Sequence, residues 1–379
     1  MLVVACTTCI GMHAQNEQMA YMDSVEIGLL TCSPHNEVYS LYGHTAIHCH
    51  DLHNDRHWVY NYGVFDFKKP HFVWRFIMGQ TDYKLEYTQN FDGWCNYYRK
   101  WGSGIEEQIL NLTPTEKLNL LQALSDNLRN PVYRYNYFYD NCSTRPRDII
   151  EKSIEGTVEY APRQDRDDLT FRKIIHKCTQ GHPWAAFGND LLLGLKADLR
   201  TTQREQQFLP KYLFQDFDNA TVHRLSSDES LVLKKITIVA PGEQQAEEEF
   251  PLSPFACTLF ILSVSIAIVV VEVWRKKTIV WWDAILMSVC GLAGCILFLM
   301  FFSEHPTTST NLQILLLNPL ALFFIPAVLR RKETRWFIIN EILIYAFIIG
   351  NLFQSYPVEM RNMALCLLLR CWIHRHHDK

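Results

Sequence analysis

The sequence has no excess of charge of either sign. Its 36 Lys+Arg against 40 Asp+Glu leave a formal net charge of −4. That removes a chain-wide basic field, and with it the case for nucleic-acid binding. Residues 20–250 contain no internal repeat and no low-complexity block. The globular part has no close CxxC pair, which argues against zinc ribbons and dithiol redox motifs. It holds five cysteines, Cys32, Cys49, Cys95, Cys142 and Cys178, an odd number, so at least one is free or pairs elsewhere. The apolar lead Met1–Ala14 lacks a basic n-region.

What is present divides the chain in two. The mean hydropathy near zero averages a globular part before about residue 250 with an apolar part after it. Residues 1–14 read as a signal peptide, with a truncated start accounting for the missing basic residues. Val3-Val4-Ala5-Cys6 also has the form of a lipidation box. Residues 15–242 read as one extracytoplasmic domain and 243–253 as a linker. Residues 254–379 read as a helical membrane domain of about five spans: 254–274, 278–302, 312–329, 336–353 and a weaker 356–373. The loops after the first and third spans carry Arg275-Lys276-Lys277 and Arg330-Arg331-Lys332 with Arg335, whereas the loop after the second has no Lys or Arg. The positive-inside rule places the basic loops in the cytoplasm and the globular domain outside it. Asp283, Asn318, Asn340 and Glu341 lie inside the expected spans. They line a polar path or, more simply, bond within the bundle or lie near span ends.

The globular part mixes strand and helix patterns. His44–Cys49 and Trp58–Tyr62 are β-prone runs split by the polar segment 51–56, a hairpin. Glu106–Leu112 and Leu231–Val239 read as strands. Thr113-Pro114-Thr115-Glu116 opens a helix with a capping box, and Asp148–Ile154 reads as another helix. The fold class is α+β.

A thiol beside a helix start and an imidazole at a strand start are two parts of a cysteine nucleophile site. Cys142 follows Asp140 and Asn141 and precedes Arg145 and Arg147; a helix N-terminus and cations both favour thiolate. If Asn141 caps the helix, Pro146 falls inside it; otherwise Ser143 or Thr144 is the cap. His44 is the candidate base. A hairpin centred near Leu52 and His53 places Asn61 opposite it as the group that orients the ring. His48, His50, His53 and His57 are rivals. They stand close together without a matching acidic or cysteine ligand set, so neither metal nor cofactor is expected. A lone cysteine or histidine is by itself commonly structural.

At these residues the chain resembles a known family. Leu41-Tyr42-Gly43-His44-Thr45-Ala46, Val59-Tyr60-Asn61-Tyr62-Gly63, Leu110-Asn111-Leu112-Thr113, Tyr133–Cys142 and Thr144–Asp148 look like the Lnb-type bacterial lipoprotein N-acyltransferases. Gly188–Gly194, Phe208-Leu209-Pro210 and the His305-Pro306…Asn311 loop fit the same pattern. The His-then-Cys order is also similar to lecithin:retinol acyltransferases and other circularly permuted NlpC/papain-like folds. The resemblance implies Cys142 as nucleophile, His44 as base and Asn61 as orienter, where those relatives often carry His. It implies transfer of a fatty acyl group from a membrane phospholipid, through an acyl-Cys142 thioester, to the α-amine of a diacylglyceryl lipoprotein. Arg145, Arg147, Asn141 and His305 are the expected substrate-side residues. The expected location is the bacterial inner membrane, multi-pass, with the N-terminal domain in the periplasm. The alternative is a membrane-anchored cell-wall cysteine peptidase or amidase; a non-enzymatic scaffold is the third reading.

Overall fold

The computed structural model describes residues 17–163, 169–244, 250–332 and 335–377. The expected signal peptide, 1–14, lies outside the described residues, as does part of the linker, 245–249. The chain is α+β and divides into two units. One comprises Met1–Phe72, Thr81–Asp167 and Thr201–Glu247; the other comprises Val73–Gln80, Asp168–Arg200 and Glu248–Lys379.

The first unit is built on an antiparallel sheet. Its strands are β1 (Val25–Cys32), β2 (His44–Asp51), β3 (Arg56–Val64), β4 (Asp82–Thr88), β5 (Ile105–Leu110) and β6 (Val132–Arg134), with β10 (Val232–Val239) at one edge. The order is β10-β5-β1-β2-β3-β4-β6. Strands β7 (Thr157–Tyr160), β8 (Ala220–His223) and β9 (Asp228–Ser230) form a small second sheet. Central β1 is buried on both faces because successive side chains point opposite ways. Ile27 and Leu29 pack with Ile47, Leu120, Leu124 and Ile150 on one face. Leu30 and Cys32 pack with Ala46, Val59, Cys95 and Tyr98 on the other. Helices Pro114–Arg129 and Thr144–Ser153 supply the first layer, and helix Phe91–Lys100 the second. The capping box is present: Thr113 Oγ1 accepts from Glu116 N, and Glu116 accepts from Thr113 N at 2.8 Å.

In the second unit, helices Pro254–Arg275 and Val280–Met300 have 22 and 21 residues and are apolar enough to cross a membrane. At about 1.5 Å per residue each spans roughly the ~30 Å hydrocarbon thickness. The expected third span, 312–329, is not one continuous helix. It is a 3₁₀ turn Leu312–Leu315, a break, and a helix Ala321–Leu329 of 9 residues. The break is set by packing. A Cβ added at Gly294 would lie 2.2 Å from the Leu317 carbonyl oxygen, so backbone meets backbone there. Asn318 Oδ1 accepts from Leu320 N across the bend at 2.9 Å. Helices Trp336–Gly350 and Val358–His377 complete the group.

Segment Asp168–Arg200 belongs with these helices through backbone bonds. Gly194 N donates to Thr307 O at 2.8 Å and Leu195 N to Thr310 O at 2.7 Å. The polar residues of the spans bond internally. Buried Arg370 pairs with Glu272 (2.5 and 2.8 Å) and Asp283 (2.6 and 3.0 Å), and His374 with Asp283 at 2.8 Å. A buried charge in a bilayer is tolerated when so paired.

Candidate active site

Cys142 lies in the turn between the Asn136↔Asp140 bridge and helix Thr144–Ser153. Asn141 makes that turn. Its Oδ1 accepts from Ser143 N at 2.8 Å and Thr144 N at 2.9 Å, and its Nδ2 donates to Tyr137 O and Phe208 O, both at 2.8 Å. The helix therefore begins at Thr144, with Ser143 at the cap position. Pro146 sits in the first turn, where its missing N–H removes no helical bond. Among the described residues the Cys142 amide has no hydrogen-bond partner.

His44 opens β2. Its imidazole lies beside the Cys142 thiol, close enough for each to shift the other's charge, and hydrogen-bonds the carboxamide Oδ1 of Asn61 through Nε2. An amide oxygen only accepts, so Nε2 carries the proton and Nδ1 is the atom left for the thiol. The contact is diagonal. The hairpin register pairs Ile47 with Tyr60 and His48 with Val59, which places Asn61 across from Ala46 rather than His44. The two are same-face diagonal neighbours, within reach of a side chain.

Further groups close around the sulfur. Thr45 N–H and the Tyr135 hydroxyl lie near enough to favour its charged form, and Thr45 Oγ1 meets Ser143 Oγ at 3.0 Å. Tyr98 stacks on His44, centroids 6.4 Å apart. Gly63 has φ +89°, and a Cβ there would lie 3.3 Å from the Cys142 Cβ. Tyr135, Tyr98 and Gly63 carry no signal of their own in the sequence, although Tyr135 and Gly63 sit inside quoted motifs.

Burial opposes charge on the thiol. The neighbouring His44 imidazole, with Thr45 N–H and Tyr135, overcomes burial and holds Cys142 below the ordinary thiol range. Burial likewise opposes charge on His44, but Cys142 and Asn61 raise it above the ordinary imidazole value. Cys32 and Cys49, by contrast, are pushed up by burial, and Cys95 rises to about 11. All described cysteines are free.

Rings run outward from the thiol. Tyr135 stacks on Tyr83 at 4.0 Å, Tyr83 meets Phe65 at 4.9 Å, and Phe65 meets Phe67 at 4.6 Å and Tyr39 at 6.0 Å. Phe67 and Tyr39 are 60% and 50% exposed, so this series of packed rings ends at the surface.

The expected substrate-side residues are otherwise engaged. Asn141 has its acceptor and both donor hydrogens committed inside the turn. Arg147 is buried and bonds Asp148, Arg204 O and Gln207 Oε1. Arg145 forms a bidentate pair with Asp140 (2.6 and 2.7 Å) and lies 3.5 Å over the Tyr133 ring. His305 belongs to the second unit, where its Nε2 donates to Phe76 O at 2.8 Å. It is 8% exposed, a fastener of segment 73–80 and not an open lining residue. All four share one constraint: a guanidinium, amide or imidazole bonded within the protein must break those bonds before it meets a ligand.

The arrangement is that of a membrane protein whose sheet-rich domain pairs a buried thiol with an imidazole. Comparison with protein families agrees. Residues 14–176 match the Lnb N-terminal periplasmic domain and residues 245–379 match the Lnb transmembrane domain. The chain belongs to the Lnb family: it is a transmembrane protein of lipoprotein biogenesis with a periplasmic domain, and membership points to an enzyme. No curated protein and no solved structure matches it.

Proposed function

We propose that the protein is a lipoprotein N-acyltransferase that works through an acyl-Cys142 thioester. The observation that carries this reading is the Cys142–His44–Asn61 constellation at the inner end of a series of packed rings. In the first step the Cys142 thiolate attacks an ester carbonyl of a membrane phospholipid. The Cys142 N–H is the free amide nearest the forming oxyanion. The His44 imidazolium gives its proton to the departing lysophospholipid alkoxide, leaving a thioester. In the second step His44 takes a proton from the α-amine of a diacylglyceryl cysteine. The amine attacks the thioester, the amide forms, and the thiolate leaves. Asn61 holds the imidazole ring throughout. The order His44, Asn61, then Cys142 at a helix start supports a circularly permuted papain-like fold. The basic loops support an inner-membrane, multi-pass placement of about five membrane segments.

The packed rings favour an acyl chain over the polar groove that a cell-wall peptidase needs. The test is a Cys142→Ala variant in cells that depend on the gene, with lipoproteins read by mass spectrometry. Loss of the third acyl chain is expected. Unchanged triacylated lipoprotein would overturn the proposal.

A further inference from the structure

The sheet carries a second cluster of imidazoles, about 20 Å beyond His44 along β2 at ~3.3 Å per residue. His50 and His57 are direct cross-strand partners on the hairpin, with rings stacked 4.0 Å apart. Asp55, in the turn between them, places Oδ1 3.1 Å from His50 Nε2 and 3.6 Å from His57 Nε2. In a tetrahedral site with metal–ligand bonds of about 2.0–2.1 Å, neighbouring donor atoms lie roughly 3.3 Å apart. The two Asp55 distances bracket that spacing, and all three donor atoms lie within 4.8 Å of one another.

A separate observation concerns the groups behind the rings. Buried Glu107 takes a hydrogen bond from His48 Nδ1 at 2.7 Å, and His48 Nε2 meets His57 Nδ1 at 3.0 Å. A carboxylate only accepts, so His48 carries a proton on Nδ1. With His48 neutral, it accepts from His57 Nδ1 and His57 Nε2 is the nitrogen turned toward Asp55, where a metal ion competes with a proton for the space between them. The Glu107–His48–His57 chain is the outer-shell support that metal-binding imidazoles use to hold one tautomer.

We propose that His50, Asp55 and His57 bind a divalent transition-metal ion, zinc by the two-imidazole, one-carboxylate donor set. Water completes the coordination on the exposed side. The metal clips the β2–β3 hairpin at the end opposite His44 and Asn61, and takes no part in acyl transfer.

The experiment uses the full chain in detergent, purified through a histidine-free tag, stripped of metal, and carrying Cys142→Ser so that the thiol adds no ligand. Zn²⁺ binding is read by equilibrium dialysis with elemental analysis, and Co²⁺ by its visible tetrahedral bands. The His50→Ala/His57→Ala variant, checked for folding by circular dichroism, is expected to bind one Zn²⁺ fewer per chain. It should also lose the Co²⁺ bands and the rise in thermal midpoint on Zn²⁺ addition. Glu107→Gln is expected to keep the Co²⁺ bands and weaken Zn²⁺ binding about 10- to 100-fold. Equal Zn²⁺ stoichiometry and Co²⁺ spectrum in parent and double variant would overturn the site, as would a parent that binds no Zn²⁺.

Discussion

Asn61 and His44 are bonded across a diagonal of the hairpin, not across a register pair. The bond fixes the imidazole with Nε2 protonated and Nδ1 toward the Cys142 thiol. Asn61→Ala removes the acceptor without enlarging the fold's core. Acyl-transfer rate is expected to fall by roughly 10²-fold, within the range of acid–base contributions. Asn61→His, which restores a ring-nitrogen acceptor, should recover part of it. A KM change with an unaltered kcat would mean that Asn61 binds substrate instead.

The thiol and imidazole shifts set a pH window. Cys142 is held low, so its thiolate persists at pH values where an ordinary thiol is protonated, and it is lost as pH falls through the lowered value. His44 is held high, so its charge is present below the ordinary imidazole value and is lost as pH rises through the raised one. Thioester formation should follow a bell between these limits. Alkylation of Cys142 by iodoacetamide at neutral pH should drop about tenfold or more in His44→Ala, whose buried thiol has lost its main counter-charge. Equal alkylation profiles with and without His44 would refute the pairing.

Gly63 is required twice over, by a left-handed φ of +89° and by the Cys142 side chain beneath it. Gly63→Ala should cost about 1–3 kcal/mol of stability and displace the sulfur from His44. Expected results are a lowered thermal midpoint and at least a tenfold loss of acyl transfer with membrane insertion intact.

Arg370 neutralises Glu272 and Asp283 inside the helical unit. Arg370→Met strips buried Glu272 of its counter-charge and leaves Asp283 with His374 alone, at a cost of about 3–5 kcal/mol. Folded protein recovered from membranes should fall sharply, and the companion Glu272→Gln/Asp283→Asn/Arg370→Met should restore it. Failure of the triple variant to recover yield would show that the charges themselves are needed.

Thr113 caps helix Pro114–Arg129. Thr113→Ala should cost about 1 kcal/mol, read as a drop in thermal midpoint without a change in Cys142 alkylation.

Local features were legible in the sequence because their causes are local. The capping box at Thr113, the hairpin around the polar turn after Asp51, and the first two apolar helices follow from spacing and composition. The cap before helix Thr144–Ser153 was narrowed only to a few residues. Asn141 and Thr144 exchange bonds that differ by the rotation of one side chain. The hairpin centre was placed about a residue early, yet Asn61 still reaches His44 because the strands' diagonal neighbours share a face. The third apolar segment looked continuous because hydropathy does not register Gly294 pressing on the Leu317 carbonyl. Glu272 passed unnoticed inside an apolar window that hides a single charge.

The sequence by itself determined the division into a sheet-rich part and an apolar helical part, and it singled out the thiol and imidazole to which we assign the chemistry. Periodicity, hydropathy and motif order are properties of neighbouring residues. Tertiary structure alone decided that Asn141, Arg147 and His305 spend their polar groups inside the protein, and that Asp55 completes a set with His50 and His57. Hydrogen-bond capacity is short-ranged and saturable. Only the folded distances say which partner has claimed it.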